Sequence, residues 1–155
     1  MGKYIFNNSL KGKHKAFDKR LFNLYDRPAR DKIKKVLKDF VIDNPNQYEQ
    51  DLIITDPNYK YKFIELQVCT SWIGENYPFD NVFIYERKYH YNNDTIFITL
   101  NKNMTKGLIF DAESFKNSKP RRLKKYSREY VYDIPWNRIM PVVIEYLDIE
   151  SFKLY

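Results

Sequence analysis

The segment most informative about the fold is DLIITDPNYKYKFIELQVC, residues 51–69. Both of its ends are rich in β-branched and aromatic residues, and Pro57-Asn58-Tyr59 between them is typical of a turn. Two strand-forming runs joined by a short turn predict an antiparallel hairpin. With the turn centred there, the numbers of paired residues sum to about 115 or 116, which places Asp51 opposite Ile64 or Glu65. The carboxylates of Asp51 and Glu65 are therefore expected to be neighbours.

Glu65 interrupts a strand that is otherwise mostly apolar. Because side chains alternate along a strand, one face is predicted to carry Phe63, Glu65 and Gln67, and the other Ile64, Leu66 and Val68. Two neighbouring carboxylates in a half-buried position repel each other unless a cation lies between them. Mg²⁺ or Mn²⁺ would relieve that repulsion, since Mg²⁺ is commonly bound through one or two carboxylates. The alternative interpretation places Glu65 and Gln67 on the solvent face of an ordinary antiparallel sheet.

An amphipathic helix is predicted upstream of the hairpin, from about Asp26 to Ile42. Its apolar residues recur at helical spacing: Ala29, Ile33, Val36, Leu37, Phe40 and Val41. Asp26 is expected to cap its N-terminus, and Asp43-Asn44-Pro45 is expected to end it. The helix should pack on a flat element such as a sheet.

Residues 82–91 and 95–103 are predicted to form a second hairpin, and residues 107–110 a short additional strand. Alternation in the first of these runs would place Glu86, Lys88 and His90 on one face, with Arg87 among Tyr85, Tyr89 and Tyr91 on the other. The predicted class is therefore α/β or α+β. One domain, residues 1–155, would hold a central mixed sheet flanked by helices.

At Asp51 and Glu65-Leu66-Gln67 the sequence resembles the PD-(D/E)xK nuclease superfamily. That family places an Asp at the start of one strand and Glu-x-Lys on the next, with a helix in front, and the resemblance covers roughly residues 26–103. It implies a restriction-endonuclease-like core and Mg²⁺- or Mn²⁺-dependent hydrolysis of phosphodiester bonds, with Asp51 and Glu65 as metal ligands. Gln67 stands where the family has lysine, so Gln67 together with Lys88 is expected to position the nucleophile.

Basic charge points to a polyanionic partner. Lysine and arginine number 27 against 20 acidic residues, which gives a formal net charge of +7. The densest basic run is residues 116–128, and residues 1–25 are predicted to be a basic arm. Candidate nucleic-acid contacts are Arg87, Arg121, Arg122, Lys124 and Lys125. DNA is favoured over RNA, and a homodimer is compatible with the sequence.

Residues 85–111 also resemble segments of uncharacterised proteins of large DNA viruses, which suggests a virus-encoded protein. Two other functions stay open beside the nuclease: a catalytically inactive nucleic-acid-binding module, and a viral structural or interaction protein with a tyrosine-rich surface. Either would leave Asp51 and Glu65 without a catalytic role.

Several other classes are disfavoured by composition. One cysteine, Cys69, allows no intramolecular disulfide and no cysteine-based zinc cluster. The four glycines form no phosphate-binding loop, and the two histidines are too few for a histidine metal site. No apolar run is long enough to span a membrane, so an intracellular protein, cytoplasmic or nuclear, is expected.

Overall fold

A six-stranded mixed sheet is the centre of the computed structural model, which describes residues 20, 22–46, 48–123 and 129–153. Its strands lie in the order β1-β2-β3-β5-β6-β9. They are β1 Val41–Asp43, β2 Leu52–Ile54, β3 Phe63–Val68, β5 Thr95–Leu100, β6 Lys106–Asp111 and β9 Met140–Val143. β3 and β5 run parallel, whereas every other neighbouring pair is antiparallel.

The hairpin predicted over residues 51–69 is confirmed. β2 and β3 are antiparallel, with Leu52 paired to Ile64 and Ile53 paired to Phe63. Continuing this register by one residue brings Asp51, which immediately precedes β2, beside Glu65 in β3. The turn chemistry at residues 57–59 is local, and this is why the sequence could limit the register to two neighbouring values, of which the structure has the one with a sum of 116.

The single α-helix of the described residues, α1, spans Arg27–Leu37 and follows a π-helical turn at Phe22–Asp26. The predicted helix end at residue 42 is wrong. Lys38 has a positive φ of 53° and a 3₁₀ turn follows it, so residues 41–43 leave the helix and pair with β2 as an edge strand. Asp26 lies at the N-cap position as predicted but makes no side-chain cap hydrogen bond.

The two faces of the central sheet are covered by different elements. α1 contributes Ala29, Ile33 and Leu37 to the core on one face. A three-stranded sheet in the order β4-β8-β7 covers the other face, with β4 Val82–Tyr85, β7 Arg121–Arg122 and β8 Tyr130–Ile134. The α+β class is confirmed, and a second sheet occupies the face on which the sequence predicted further helices.

The second predicted hairpin is wrong. Residues 82–85 form β4 and pair with β8, whereas β5 lies between β3 and β6. All six residues of β5 are buried, and a strand buried on both faces lies in the interior of a sheet. The short strand predicted at residues 107–110 is confirmed within β6. No helix in the described part of the chain is long and apolar enough to cross a membrane.

Candidate active site

The carboxylates of Asp51 and Glu65 meet inside the fold. Asp51 is 3% exposed and Glu65 1% exposed. The Asp51 backbone N–H donates to Glu65 Oε1 at 3.3 Å, and the Leu66 N–H donates to Asp51 Oδ2 at 2.9 Å. The solvent-face interpretation of Glu65 is wrong, because β4 and the turn after it lie over this face of β3.

Lys88 reaches the same site from a different sheet. Its Nζ lies 3.2 Å from Glu65 Oε2 and donates to the Leu66 carbonyl oxygen at 3.5 Å. Lys88 belongs to the 3₁₀ turn Glu86–Lys88 after β4, so the predicted strand alternation of Glu86, Lys88 and His90 is wrong. The turn directs Lys88 inward, where it is buried, while His90 is exposed.

Two further charged side chains from the helical segment belong to this site. Arg30 Nη2 donates to Asp51 Oδ1 at 2.8 Å. Burial raises the pKa of Asp26, attraction to Lys88 opposes that rise, and repulsion from Asp51 adds to it, so Asp26 is in electrostatic contact with both. Neither residue was predicted to belong to the site. The i,i+4 spacing of Asp26 and Arg30 could have predicted that they lie together, because residues four apart share one side of a helix.

The pKa values of the two carboxyl groups are shifted in opposite directions. Burial and the nearby charge of Asp51 raise the pKa of Glu65 to about 8, and the attraction of Lys88 only partly opposes this. Burial also opposes ionisation of Asp51, yet its pKa is lowered, and the Arg30 guanidinium is one cause. At neutral pH the pair therefore holds about one proton, which resides mainly on Glu65.

The arrangement fits a divalent cation. Glu65 Oε2 is buried and lies 3.2 Å from Lys88 Nζ without an aligned hydrogen bond, and the Leu66 carbonyl oxygen accepts a hydrogen bond from the same Nζ at 3.5 Å. Carboxylate and carbonyl oxygens are the ligands that Mg²⁺ prefers. The described residues contain no group of three or more Asp, Glu, His or Cys side chains that could hold a metal, so protein ligation here would come from two carboxylates and a carbonyl.

The side-chain amides of Gln67 and Gln50 form hydrogen bonds that join the strands around the site. Gln67 Nε2 donates to the Phe83 carbonyl oxygen at 3.1 Å and to Thr99 Oγ1 at 2.6 Å, which ties β3 to β4 and β5. Gln50 is buried, and its Nε2 donates to Thr95 Oγ1 at 2.9 Å. Both amides hold the strands that carry the carboxylates.

Three of the five predicted nucleic-acid contacts, Arg87, Arg121 and Arg122, lie on or beside the second sheet. Arg87 pairs with Glu129 at 3.3 Å and lies 4.2 Å from the ring centroid of Tyr85. Arg121 pairs with Asp133 at 2.8 Å, and Arg122 donates to the Tyr130 hydroxyl at 2.8 Å. Lys124 and Lys125 lie outside the described residues.

The raised pKa of Glu65 makes stability depend on pH. Its ordinary value is 4.5 and its native value about 8, so the native state binds more protons than the unfolded state between them. This contribution to stability is complete below the ordinary pKa and is lost as pH rises through the native one. Relative to Glu65→Gln, the metal-free wild type should lose up to about 1.4 kcal/mol of unfolding free energy per pH unit in this window. Urea unfolding between about pH 5 and pH 8 measures it, and parallel profiles of the two proteins would contradict it.

No protein-family model matches the chain, and no curated protein matches its sequence. The geometry of the site therefore carries the functional inference.

Proposed function

We propose that the protein is a metal-dependent nuclease that hydrolyses phosphodiester bonds in nucleic acid, with DNA as the expected substrate. The convergence of Asp51, Glu65 and Lys88 in one buried site carries this proposal. It is supported by the order of the elements, since a helix precedes an Asp at the start of one strand and a Glu on the next. This is the arrangement implied by the resemblance to the PD-(D/E)xK superfamily, and the proposal includes a core of that kind.

Each residue of the site has a distinct part in this mechanism. Asp51, Glu65 and the Leu66 carbonyl oxygen would hold the cation. When bound, Mg²⁺ or Mn²⁺ supplies an activated water and neutralises charge on the scissile phosphate.

Lys88 would take the part of the motif lysine, at whose place in the sequence Gln67 stands. Its ammonium group, beside Glu65 Oε2, holds the attacking oxygen and stabilises negative charge that develops on the phosphate. Gln67 acts indirectly, because its hydrogen bond to Phe83 fixes the strand from which the Lys88 turn extends. Arg30 keeps Asp51 ionised and oriented.

A nucleic-acid-binding module without catalysis is the second candidate. The observation in its favour is that Arg30 and Lys88 already pair with the two carboxylates. Such internal pairs satisfy buried charges without any metal. In this case the site would be a structural ion-pair cluster.

Calorimetric titration with Mn²⁺ separates the two candidates. The nuclease should bind Mn²⁺ at one site, and Asp51→Asn and Glu65→Gln should each remove that site. Binding near neutral pH should release a proton, because Glu65 is protonated in the metal-free protein and must ionise to act as a ligand. Titration in two buffers of different ionisation enthalpy measures this proton. A wild type that binds no Mn²⁺ and cleaves neither DNA nor RNA, yet binds nucleic acid, would be the binding module.

A further inference from the structure

Five aromatic rings form a continuous row along the outer side of β4, here called the aromatic stripe. In order, the stripe consists of Trp136, Tyr77, Phe79, Phe83 and Tyr85. The successive centroid separations are 5.8, 5.8, 6.2 and 6.1 Å. Its last ring is followed directly by the Glu86–Lys88 turn, whose Lys88 reaches Glu65 in the carboxylate site.

The stripe is partly exposed, although its members are large and apolar. Phe79 is 44% exposed and Trp136 is 45% exposed. The Trp136 indole N–H donates to the Asp80 carbonyl oxygen at 2.7 Å, and its ring packs edge-on against Tyr77. The exposed rings are therefore held in place before any ligand arrives, which lowers the entropy cost of binding.

Two arginine side chains lie close to rings of the aromatic stripe. The Arg121 guanidinium lies 5.6 Å from the centroid of Phe83, and that of Arg87 lies 4.2 Å from Tyr85. Both arginines have acidic partners, Asp133 and Glu129, and the exposed Arg121–Asp133 pair contributes little to stability. A phosphate can accept from the Arg121 guanidinium as a carboxylate does. Residues 116–122, which include β7, add two lysines and Arg122 and contain no acidic residue.

We propose that the aromatic stripe binds the unpaired bases of single-stranded nucleic acid, with Arg121 on the phosphate backbone. Exposed aromatic rings interleaved with arginines suit bases whose faces are free, and duplex bases offer no such faces because they stack on one another. The stripe thus defines the substrate class of the proposed nuclease, a single strand delivered to Asp51 and Glu65. That delivery rests on the proposed function, whereas the binding of the strand does not.

The test is binding without metal, so that no cleavage occurs. Labelled oligothymidylate, oligouridylate and a blunt duplex of equal length are titrated in EDTA. Tryptophan fluorescence gives a second signal: of the two tryptophans, Trp72 is only 2% exposed, so quenching by a stacked base reports on Trp136. We expect both single strands to bind more tightly than the duplex and to quench this fluorescence.

Variants of the stripe make the test specific. Phe79→Ala should weaken single-strand binding by about 5- to 100-fold, Phe79→Tyr should retain it, and duplex binding should change by less than about threefold. Tyr146→Ala is the matched control and should bind like the wild type. The Tyr146 side chain is 74% exposed, and its neighbours Ile144 and Leu147 belong to the core that α1 covers. Circular dichroism of every variant establishes that it is folded.

The outcomes separate this proposal from the nuclease. If the protein binds no Mn²⁺ but prefers single strands and its tryptophan fluorescence is quenched by them, single-strand binding by the aromatic stripe is supported and the nuclease function is rejected. If the wild type cleaves nucleic acid with a metal but Phe79→Ala binds single strands as tightly as the wild type, base binding by the aromatic stripe is rejected and the nuclease function stands. A chain that binds none of the three oligonucleotides would overturn the stripe in favour of a protein-contact surface. The two single strands show whether DNA or RNA is preferred.

Discussion

Asp51→Asn and Glu65→Gln are each expected to lower Mg²⁺- or Mn²⁺-dependent cleavage by at least about 10³-fold. Each substitution removes a charged ligand from the site while keeping the shape of the side chain. A bound metal contributes several kcal/mol of transition-state stabilisation, and each ~1.4 kcal/mol corresponds to tenfold in rate. Binding of nucleic acid in EDTA should hold or improve in Asp51→Asn, because a negative charge that repels phosphate is gone. It should hold in Glu65→Gln, because Glu65 is already protonated near neutral pH in the metal-free protein. Single-turnover cleavage and anisotropy in EDTA measure the two effects.

The matched controls are Asp43→Asn and Glu75→Gln, which make the same chemical changes at exposed surface ion pairs. Both should cleave like the wild type and unfold at nearly the same temperature, since exposed pairs contribute little. Cleavage that survives both Asp51→Asn and Glu65→Gln would place the active site elsewhere. Equal loss of cleavage in the controls would point to a general charge effect.

Lys88→Met is expected to lower cleavage by about 10²- to 10⁴-fold, the range of a positioned side chain that takes part in proton transfer. Methionine retains much of the apolar length of lysine but removes the ammonium group 3.2 Å from Glu65 Oε2. Loss of that cation should also raise the pKa of Glu65 further, because Lys88 opposes the rise caused by burial. Because Glu65 must ionise to bind the metal, the pH at which cleavage is half-maximal should move upward at a fixed, sub-saturating Mn²⁺ concentration, and a pH–rate profile under that condition records both changes.

Rescue distinguishes a catalytic lysine from one that only stabilises the fold. Gln67 lies on the same face of β3 as Glu65, so Gln67→Lys in the Lys88→Met background should restore part of the activity. Recovery will be incomplete, since this change removes the hydrogen bonds from Gln67 to Phe83 and Thr99. Lys106→Met, at a surface pair with Glu75, is the control. Full activity in Lys88→Met would exclude Lys88 from the mechanism.

The sequence alone was sufficient for the hairpin and limited its register to two values, with Asp51 opposite Ile64 or Glu65; the structure has the second. The turn at residues 57–59, strand alternation and β-propensity all act within residues 51–69, so few alternative structures compete. The class and the existence of α1 were also predictable, since its apolar residues recur over three turns of helix. The end of α1 was not, because Phe40 and Val41 continue the apolar helical spacing, whereas residues 41–43 pair with β2 in the structure.

Long-range packing supplied the rest of the site. The parallel pairing of β3 with β5 joins residues about 30 apart in the chain, and no local signal distinguishes it from a hairpin between residues 82–91 and 95–103. Lys88 reaches Glu65 only because β4 belongs to the second sheet and is followed by a 3₁₀ turn that directs Lys88 inward. Arg30 meets Asp51 only when α1 packs across the hairpin. The sequence by itself therefore determined the two carboxylates, whose neighbourhood is local, whereas the tertiary fold determined the cations around them, since each comes from an element whose position depends on core packing.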